Sequence, residues 1–283
     1  MLNYIMSNFT KFQGYVPDLK NPQTFSEKLQ YIKLHGNLQR LSNYVDKYNV
    51  RDYVKKTIGQ EYLIPMVGIY ETIEQIDFNQ LPSSFIMKAT HGSGWNIIVK
   101  DKNKVDWNSI CIQMRSWLDS NYGDMTGELC YKPLQGRVIV EELIYDPSGD
   151  LKDYKFFCFG GVPHFIQVDS GRFDNHKRNL YDTHWNKLPL VLLYENISET
   201  VSMPKNFDKM LSLAAQLSKP FGFVRVDLYE ANNVVYFGEL TFVPGNGFEA
   251  FNPRQFDHQF GELLDLKTYL SDITNIGGAL LEN

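Results

Sequence analysis

Charged side chains alternate along two predicted strands near the C-terminal end of the chain. Arg225 and Asp227 lie two residues apart, and Phe237, Glu239 and Thr241 do so on the strand that returns. Residues two apart on a strand face the same side, so we expect the charged groups to share a face. Carboxylates on neighbouring strands suit a divalent cation, since magnesium takes a few carboxylates together with phosphate oxygens. The alternative is a solvated polar face with a cross-strand Arg–Glu pair.

A lysine followed by a glycine-rich turn indicates a second kind of chemistry. Lys88 belongs to the predicted strand Phe85–Ala89, and His91-Gly92-Ser93-Gly94 leads into another predicted strand over 95–100. Backbone N–H groups of such a turn can approach an oxyanion, and the lysine adds positive charge. Strand, loop and strand form a hairpin, unlike the strand–loop–helix of Walker and Rossmann phosphate sites. A plain hairpin turn is the alternative.

A third candidate for a functional site is a basic segment. The segment 172–178 contains Arg172, Asn175, His176, Lys177 and Arg178 and is predicted to be a loop. It could bind a phosphate or a carboxylate, with Arg178 as a bidentate clamp, or it could be a solvated loop.

Nucleophilic and zinc chemistry are not indicated by the sequence. The six histidines lack metal-ligand spacing, and there is no Gly-x-Ser-x-Gly elbow or triad signal. Cys111, Cys130 and Cys158 are far apart without a Cys-x-x-Cys pair, which is typical of reduced thiols in a cytoplasmic protein.

Helices and strands must position these groups. Thr24 and Glu27 form a capping-box pattern at the start of a helix. A second helix is predicted from near Tyr44, with Lys47 and Arg51 four residues apart on one face. Further helices are predicted over 107–121 and 206–218.

Strands account for most of the remaining pattern. The segment 136–144 is a predicted strand containing Glu141 and Glu142, whose side chains should point to opposite faces. Asp153–Phe159 and 162–168 form a predicted hairpin, in which Asp153 and Lys155 share a face. Helices interspersed among hairpins predict an α+β architecture with largely antiparallel sheets.

The amino-acid composition limits the classes of protein to which the chain can belong. The 283 residues carry a formal charge of −5, and 43% are apolar, which excludes a disordered chain and suggests one large domain or two lobes. The acidic balance argues against non-specific nucleic-acid binding. No apolar run approaches the ~18 residues of a membrane span, and the N-terminus does not have the pattern of a secretory signal.

The order of these pieces resembles the ATP-grasp superfamily. The most specific part is Phe223-Val224-Arg225-Val226-Asp227, a hairpin, and then the segment 238–245, which is similar to the magnesium-binding end of ATP-grasp ligases. Further motifs resemble one branch of this superfamily, the TupA-like branch of teichuronopeptide and surface-polysaccharide synthesis. This resemblance is carried by Thr24-Phe25-Ser26-Glu27-Lys28-Leu29, Asp46-Lys47-Tyr48, His91-Gly92-Ser93-Gly94, Asp153-Tyr154-Lys155-Phe156-Phe157 and Asn175-His176-Lys177-Arg178-Asn179, within about 21–266.

The resemblance implies roles for individual residues. Lys47 and Lys88 would neutralise the ATP phosphates, and Gly92, Ser93 and Gly94 would cover them. Glu141, Glu142 and Leu143 would form the adenine hinge, and Asp153 would bind the ribose. Lys155 would reach phosphate or acyl phosphate, and Arg225 would stabilise the transferring phosphoryl group. Asp227 and Glu239 would hold Mg²⁺. Many ATP-grasp ligases have Asn where this chain has Thr241, so Thr241 or Asn246 would complete the metal site.

The resemblance also implies an ATP-grasp fold, in which two α+β lobes clasp ATP. We expect an N-terminal helical segment over 1–60, a smaller lobe over 61–135, a larger lobe over 136–266 and a tail over 267–283. The implied function is a bacterial cytoplasmic carboxylate–amine ligase that joins an amino acid or other amine to an acidic sugar or glycan precursor. A kinase acting on a hydroxyl and a non-catalytic nucleotide- or glycan-binding module are the alternatives. A homo-oligomer is compatible with this reading.

Overall fold

The computed structural model describes residues 1–146, 149, 151–171 and 175–276. The helices in these ranges are α1 (Leu2–Gln13), α2 (Phe25–His35), α3 (Ser42–Val45), α4 (Val50–Thr57), α5 (Trp107–Leu118), α6 (Tyr122–Thr126), α7 (Phe207–Ser218), α8 (Gln255–Leu263) and α9 (Leu266–Ile276). The strands are β1 (Met66–Tyr70), β2 (Phe85–Ala89), β3 (Asn96–Val99), β4 (Val138–Glu142), β5 (Asp153–Phe159), β6 (Val162–Ser170), β7 (Lys177–Asp182), β8 (Val191–Leu192), β9 (Phe223–Ala231), β10 (Val234–Thr241) and β11 (Phe251–Asn252). None of the described helices is long and apolar enough to cross a membrane.

The chain packs as two compact units. The smaller unit is Leu41–Tyr145, and the larger unit combines Met1–Arg40 with the described residues from Asp146 onward. The strand β4, with Glu141, therefore belongs to the smaller unit. The expected lobe boundaries after residues 60, 135 and 266 stay predictions.

The smaller unit contains an antiparallel sheet in the order β1-β4-β2-β3. Alternation sends Met87 of β2 and Val140 of β4 to one face, where they pack in a core with Met114 and Trp117 of α5. Asp106 is the N-cap of α5, and its carboxylate accepts from Asn108 N at 3.0 Å. The opposite face carries Lys88 of β2 and Glu141 of β4.

The larger unit contains an antiparallel sheet in the order β10-β9-β5-β6-β7. One face packs against α7, where Phe156 of β5 stacks on Phe207 with ring centroids 6.4 Å apart. The other face is aromatic over part of its area. There Phe165 stacks on Phe260 of α8 at 3.9 Å, and Phe223 meets Phe25 of α2 edge to face at 5.1 Å. The remainder of that face is charged.

The helix α2 is fixed to α8 by the segment 24–28. Thr24 and Glu27 form the predicted capping box, with Glu27 N donating to Thr24 Oγ1 at 3.1 Å. Ser26 N donates to Asp257 Oδ1 at 2.8 Å, and Lys28 Nζ donates to the carbonyl of Gly261 at 2.8 Å. These hydrogen bonds therefore fix the start of α2 against α8.

Candidate active site

Charged residues occupy the part of the larger sheet's face that the aromatic rings leave uncovered. They come from three adjacent strands, namely Asp153 and Lys155 of β5, Arg225 and Asp227 of β9, and Glu239 and Thr241 of β10. The register pairs Asp227 with both Lys155 and Glu239, and cross-strand partners share a face. Lys155 Nζ donates to Asp153 Oδ2 at 2.6 Å and to Asp227 Oδ2 at 2.5 Å. All six side chains thus form one cluster.

Arg225 lies at the centre of this cluster. Its Nε and Nη2 donate to the two oxygens of Asp227, both at 2.7 Å, and Nη2 also reaches Glu239 Oε1 at 3.2 Å. Burial by itself lowers the pKa of the guanidinium, but the carboxylates of Asp227 and Glu239 outweigh it, so the pKa of Arg225 is raised. Nη1 makes no hydrogen bond within the described part of the chain. Arg225 is therefore a fixed cation that can still donate to an anion.

A β-bulge at Gly238 brings Glu239 opposite Asp227. Phe237 pairs with Leu228, whereas Glu239 pairs with Asp227, so Gly238 is the extra residue on β10. The expectation that Phe237 shares a face with Glu239 is therefore wrong, because the bulge shifts the alternation by one residue. A Cβ on Gly238 would lie 3.0 Å from the carbonyl oxygen of Asp227, which explains why glycine suits this position.

The donor set of the cluster fits a hard cation. Two cations, Lys155 and Arg225, face three carboxylates, those of Asp153, Asp227 and Glu239, so a further positive charge is favoured there. The side chain of Glu239 is 31% exposed, which leaves one carboxylate accessible. No group of three or more His, Cys, Asp or Glu among the described residues is arranged to hold a metal. A magnesium ion would therefore take phosphate oxygens and waters to complete its shell.

Arg178 lies on β7. The loop predicted over 172–178 is therefore wrong for Lys177 and Arg178, which belong to this strand. Pairing with β6 begins at Lys177, and Arg178 stands opposite Asp169. Its Nε donates to Asp169 Oδ1 at 2.6 Å, and its Nη1 donates to Glu249 Oε1 at 3.1 Å. The guanidinium is 5% exposed and holds carboxylates of the chain itself. The role of Arg178 as a substrate clamp stays a prediction, and Arg172 lies outside the described residues.

Lys47 and the glycine turn meet in the smaller unit. Lys47 N donates to the carbonyl of Thr90 at 3.1 Å, and Lys47 Nζ donates to the carbonyl of Gly92. The base of the turn is buried, with His91 Nε2 donating to the carbonyl of Trp117 at 2.9 Å, whereas Ser93 and Gly94 are exposed. Gly94 has φ +74°, a conformation that favours glycine. The exposed tip can therefore approach an anion, as predicted for this turn.

The predicted helix through Lys47 is wrong in one respect. The helix α3 ends at Val45 and α4 begins at Val50, so Lys47 lies in the turn between them. Asp46 causes this break, because its Oδ1 accepts from the backbone N–H of Tyr48 at 3.0 Å and of Asn49 at 2.8 Å. The turn aims Lys47 at the glycine loop, which a continuous helix would not do.

Lys88, Arg51 and Glu141 meet on the polar face of the smaller sheet. Glu141 accepts from Arg51 Nη1 and from Lys88 Nζ, both at 2.8 Å. Two cations therefore share one carboxylate, which leaves a net positive charge that favours an anion.

A model of the TupA-like ATP-grasp family matches residues 27–265. The chain belongs to this family. The match confirms the predicted family, its ATP-grasp fold and an enzyme of the ATP-grasp class.

Solved structures of ATP-grasp ligases are similar to this TupA-like protein at low identity. D-alanine–D-alanine ligase from Bacillus anthracis matches at 16% identity and a TM-score of 0.47, over 89% of this chain and 75% of the ligase. The same ligase complexed with ATP matches at 14% identity and a TM-score of 0.44, over 84% of this chain and 68% of the ligase. A third structure is the ATP-grasp ligase PsnB complexed with a phosphomimetic variant of its minimal precursor, Mg and ADP. It matches at 7% identity and a TM-score of 0.41, over 86% of this chain and 61% of PsnB. No curated protein matches significantly.

The predicted adenine hinge of the TupA-like protein lies at the end of β4. Glu142 is exposed, and its backbone N–H donates to the carbonyl of Pro65 at 3.0 Å. Leu143 follows the strand and is half-buried. Because the Glu142 N–H is already used, a backbone donor for adenine would have to come from Leu143 or beyond. The hinge role of Glu141, Glu142 and Leu143 stays a prediction.

Asn246, the alternative metal ligand, is held by α2. Its side-chain oxygen accepts from Lys33 Nζ, and its backbone oxygen accepts from Gln30 at 3.0 Å. Its role at the metal stays a prediction, as does that of Thr241.

Asp169, Gln167 and Glu249 belong to the same charged surroundings and lie outside the sequence prediction. Gln167 and Asp169 stand opposite Lys155 and Asp153 across β5 and β6. The register of the 153–168 hairpin could have indicated them only if the bulge beside Pro163 were known, because Cys158 pairs with Pro163 but Phe157 pairs with Phe165.

Proposed function

We propose that this TupA-like ATP-grasp protein is an ATP-dependent carboxylate–amine ligase that acts through an acyl phosphate. The observation that carries the proposal is the cluster of Lys155, Arg225, Asp227 and Glu239 on three paired strands of an ATP-grasp chain. It combines fixed cations, which stabilise a transferring phosphoryl group, with carboxylates for a metal ion.

The reaction has two steps. A carboxylate oxygen of the acceptor attacks the γ-phosphorus of ATP, the bond to the β-γ bridging oxygen breaks, and ADP leaves. The amine nitrogen then attacks the acyl carbon, inorganic phosphate leaves and the nitrogen loses a proton. No enzyme nucleophile is required, and the protein acts by positioning and electrostatic stabilisation.

Each unit contributes a part. In the smaller unit, Lys47, Lys88 and the Gly92–Ser93–Gly94 turn would bind the phosphates, and 141–143 would bind adenine. In the larger unit, Asp153 would bind the ribose, while Lys155 and Arg225 would stabilise the negative charge that develops on the phosphoryl group. Asp227 and Glu239, with Thr241, would hold Mg²⁺, which supplies charge neutralisation at the phosphates.

The acceptor we propose is an acidic sugar or glycan precursor, with an amino acid as the amine, in the assembly of a bacterial surface polysaccharide such as a capsule. The support is the family of the chain, and the reaction would take place in the cytoplasm, where ATP is available.

The test is ADP release with Mg-ATP, amino acids and uronic-acid acceptors, with the products identified by mass spectrometry. An amide together with ADP and phosphate supports the ligase. A stable phosphate ester with ADP and no amide would instead show a kinase. Binding of nucleotide or glycan without turnover across the panel would show a binding module.

A further inference from the structure

Glu141 joins two cations on the polar face of the smaller sheet. Its Oε1 accepts from Arg51 and its Oε2 accepts from Lys88, so each carboxylate oxygen holds one partner. The side chains of Glu141, Lys88 and Arg51 are 8%, 16% and 17% exposed. Such shielded pairs are less screened than surface ion pairs, so their geometry has energetic consequences.

The Arg51 side chain is also held by a backbone carbonyl and by the helix from which it extends. Its Nη2 donates to the carbonyl of Ile64 at 3.0 Å, while Nη1 donates to Glu141. It stems from α4, whose residues Val50 and Val54 are buried on either side of it in sequence. A planar guanidinium held at two nitrogens has little freedom, so Arg51 determines where the carboxylate of Glu141 lies.

The position of Glu141 in turn fixes the ammonium of Lys88. A lysine stem loses rotamer freedom when its end is ordered, so an ammonium held in advance binds an anion at lower entropic cost. Because Glu141 also pairs with Arg51, its negative charge is shared between two cations. The positive charge of Lys88 is then only partly compensated and remains able to attract a phosphate.

We propose that Arg51 is a positioning residue for the nucleotide, which acts through Glu141 to hold the Lys88 ammonium in place. The inference rests on the proposed function, in which Lys88 binds the phosphates of ATP. Arg51 itself makes its contacts with Glu141 and Ile64, and the effect on the nucleotide is indirect.

The experiment is a double-mutant cycle on Mg-ATP affinity, measured by calorimetry on the full chain. Arg51→Met should raise the Kd for Mg-ATP about tenfold, within the range that coupling between contacting residues produces. In the Glu141→Gln background the same change should raise Kd by less than about twofold, because the intermediary is lost. Arg51→Lys, which keeps the charge but not the planar geometry, should fall between wild type and Arg51→Met. The matched control is Arg115→Met, since Arg115 pairs with Glu74 on the surface, with side chains 56% and 70% exposed.

The outcomes separate the inference from the proposed function. Absence of Mg-ATP binding by the wild-type chain would overturn the proposed function together with the inference. If the wild type binds and Arg51→Met has the wild-type Kd, the inference alone is wrong. Equal effects of Arg51→Met with and without Glu141→Gln would also overturn it, since Arg51 would then act independently of Glu141. If Arg51→Met does not fold, Arg51→Lys takes its place in the cycle, with the same non-additivity expected.

Discussion

Single residues of the charged cluster differ in what their substitution would test. Asp227 is 1% exposed and holds both Arg225 and Lys155. Breaking a typical buried pair costs about 3–5 kcal/mol, and the cost here is lower because Asp153 still holds Lys155 and Glu239 still holds Arg225. Asp227→Asn should therefore reduce stability as well as turnover. Glu239 is more exposed and contacts Arg225 at a longer distance, which makes it the cleaner probe of metal binding.

Glu239→Gln should weaken Mg²⁺ binding with little change in melting temperature. The amide keeps the size of the side chain but removes a negative donor. The Mg²⁺ concentration for half-maximal ADP release should rise at least about tenfold, the loss typical of removing even an outer-shell partner. Glu199→Gln, at an exposed position, is the control. An unchanged magnesium dependence would remove Glu239 from the metal site.

Lys88→Ala should weaken Mg-ATP binding while sparing the fold. Arg51 still neutralises Glu141 after the change, so no carboxylate is left buried without a cation. We expect Kd to rise about tenfold, equivalent to ~1.4 kcal/mol. Calorimetry on Lys88→Ala and on Lys132→Ala, a surface lysine paired with Asp124, makes the comparison. Equal affinities in the two variants would leave Lys88 as a structural strand residue.

Asp169 should make the stability depend on pH in the acid range. Burial by itself raises the pKa of this carboxyl, but Arg178 outweighs it and lowers the pKa to about 2. Because the folded pKa is lower than the unfolded value of about 3.9, the stabilisation is present above that value and is lost as the pH falls towards 2. The contribution is about 2 kcal/mol.

Urea unfolding of wild type and Asp169→Asn at several pH values measures this contribution. Their difference in unfolding free energy should be largest near neutral pH and should shrink between about pH 4 and pH 2. Asp119→Asn, at an exposed position, should follow the wild-type profile. A difference that stays constant with pH would contradict the assignment.

At the scale of elements, the bulge on β10 decides the composition of the cluster. The Asn232-Asn233 turn sets a register in which Ala231 pairs with Val234 and Leu228 pairs with Phe237. Continued without interruption, that register would place Gly238 opposite Asp227 and turn Glu239 to the other face. The bulge therefore creates the Asp227–Glu239 pair.

Gly238→Ala should reduce catalysis more than stability. The added methyl would lie 2.9 Å from Cε2 of Tyr229 and 3.0 Å from the carbonyl oxygen of Asp227, so the Tyr229 ring must move and the backbone at Asp227 must shift by a few tenths of an ångström. We expect kcat to fall about tenfold or more, equivalent to at least ~1.4 kcal/mol of transition-state stabilisation. The control is Val234→Ala at an exposed position of the same strand. Wild-type kinetics in Gly238→Ala would show that the cluster tolerates a shift of the bulge.

At the scale of the whole molecule, binding of the proposed nucleotide is coupled to folding. A ligand that binds the folded state and not the unfolded state stabilises the folded chain by mass action.

Mg-ATP should therefore raise the melting temperature of the intact chain. At a concentration of ~100 times Kd the stabilisation is about 2.7 kcal/mol, which corresponds to roughly 4–5 °C for a chain of this size. Thermal unfolding with Mg-ATP, with ATP and EDTA, and with Mg²⁺ alone measures it. Only the first condition should give the full shift. Equal shifts with and without the metal would contradict a magnesium-dependent nucleotide site.

The sequence by itself determined the features that depend on neighbouring residues. The capping box of Thr24 and Glu27, the glycine turn after Lys88 and the alternation of Asp153 with Lys155 all follow from local rules, and all are present. The family follows from short motifs in the right order, and its model covers residues 27–265. Such signals need no knowledge of distant contacts.

Only the tertiary structure decided which distant residues meet. The Gly238 bulge placed Glu239 beside Asp227, because one extra residue reverses the facing of every residue beyond it. Pairing of β7 with β6 buried Arg178 against Asp169, although its basic segment predicts a loop. Arg51 became a partner of Glu141 across 90 residues of sequence. Charge and register between remote strands depend on the whole fold, and no local pattern encodes them.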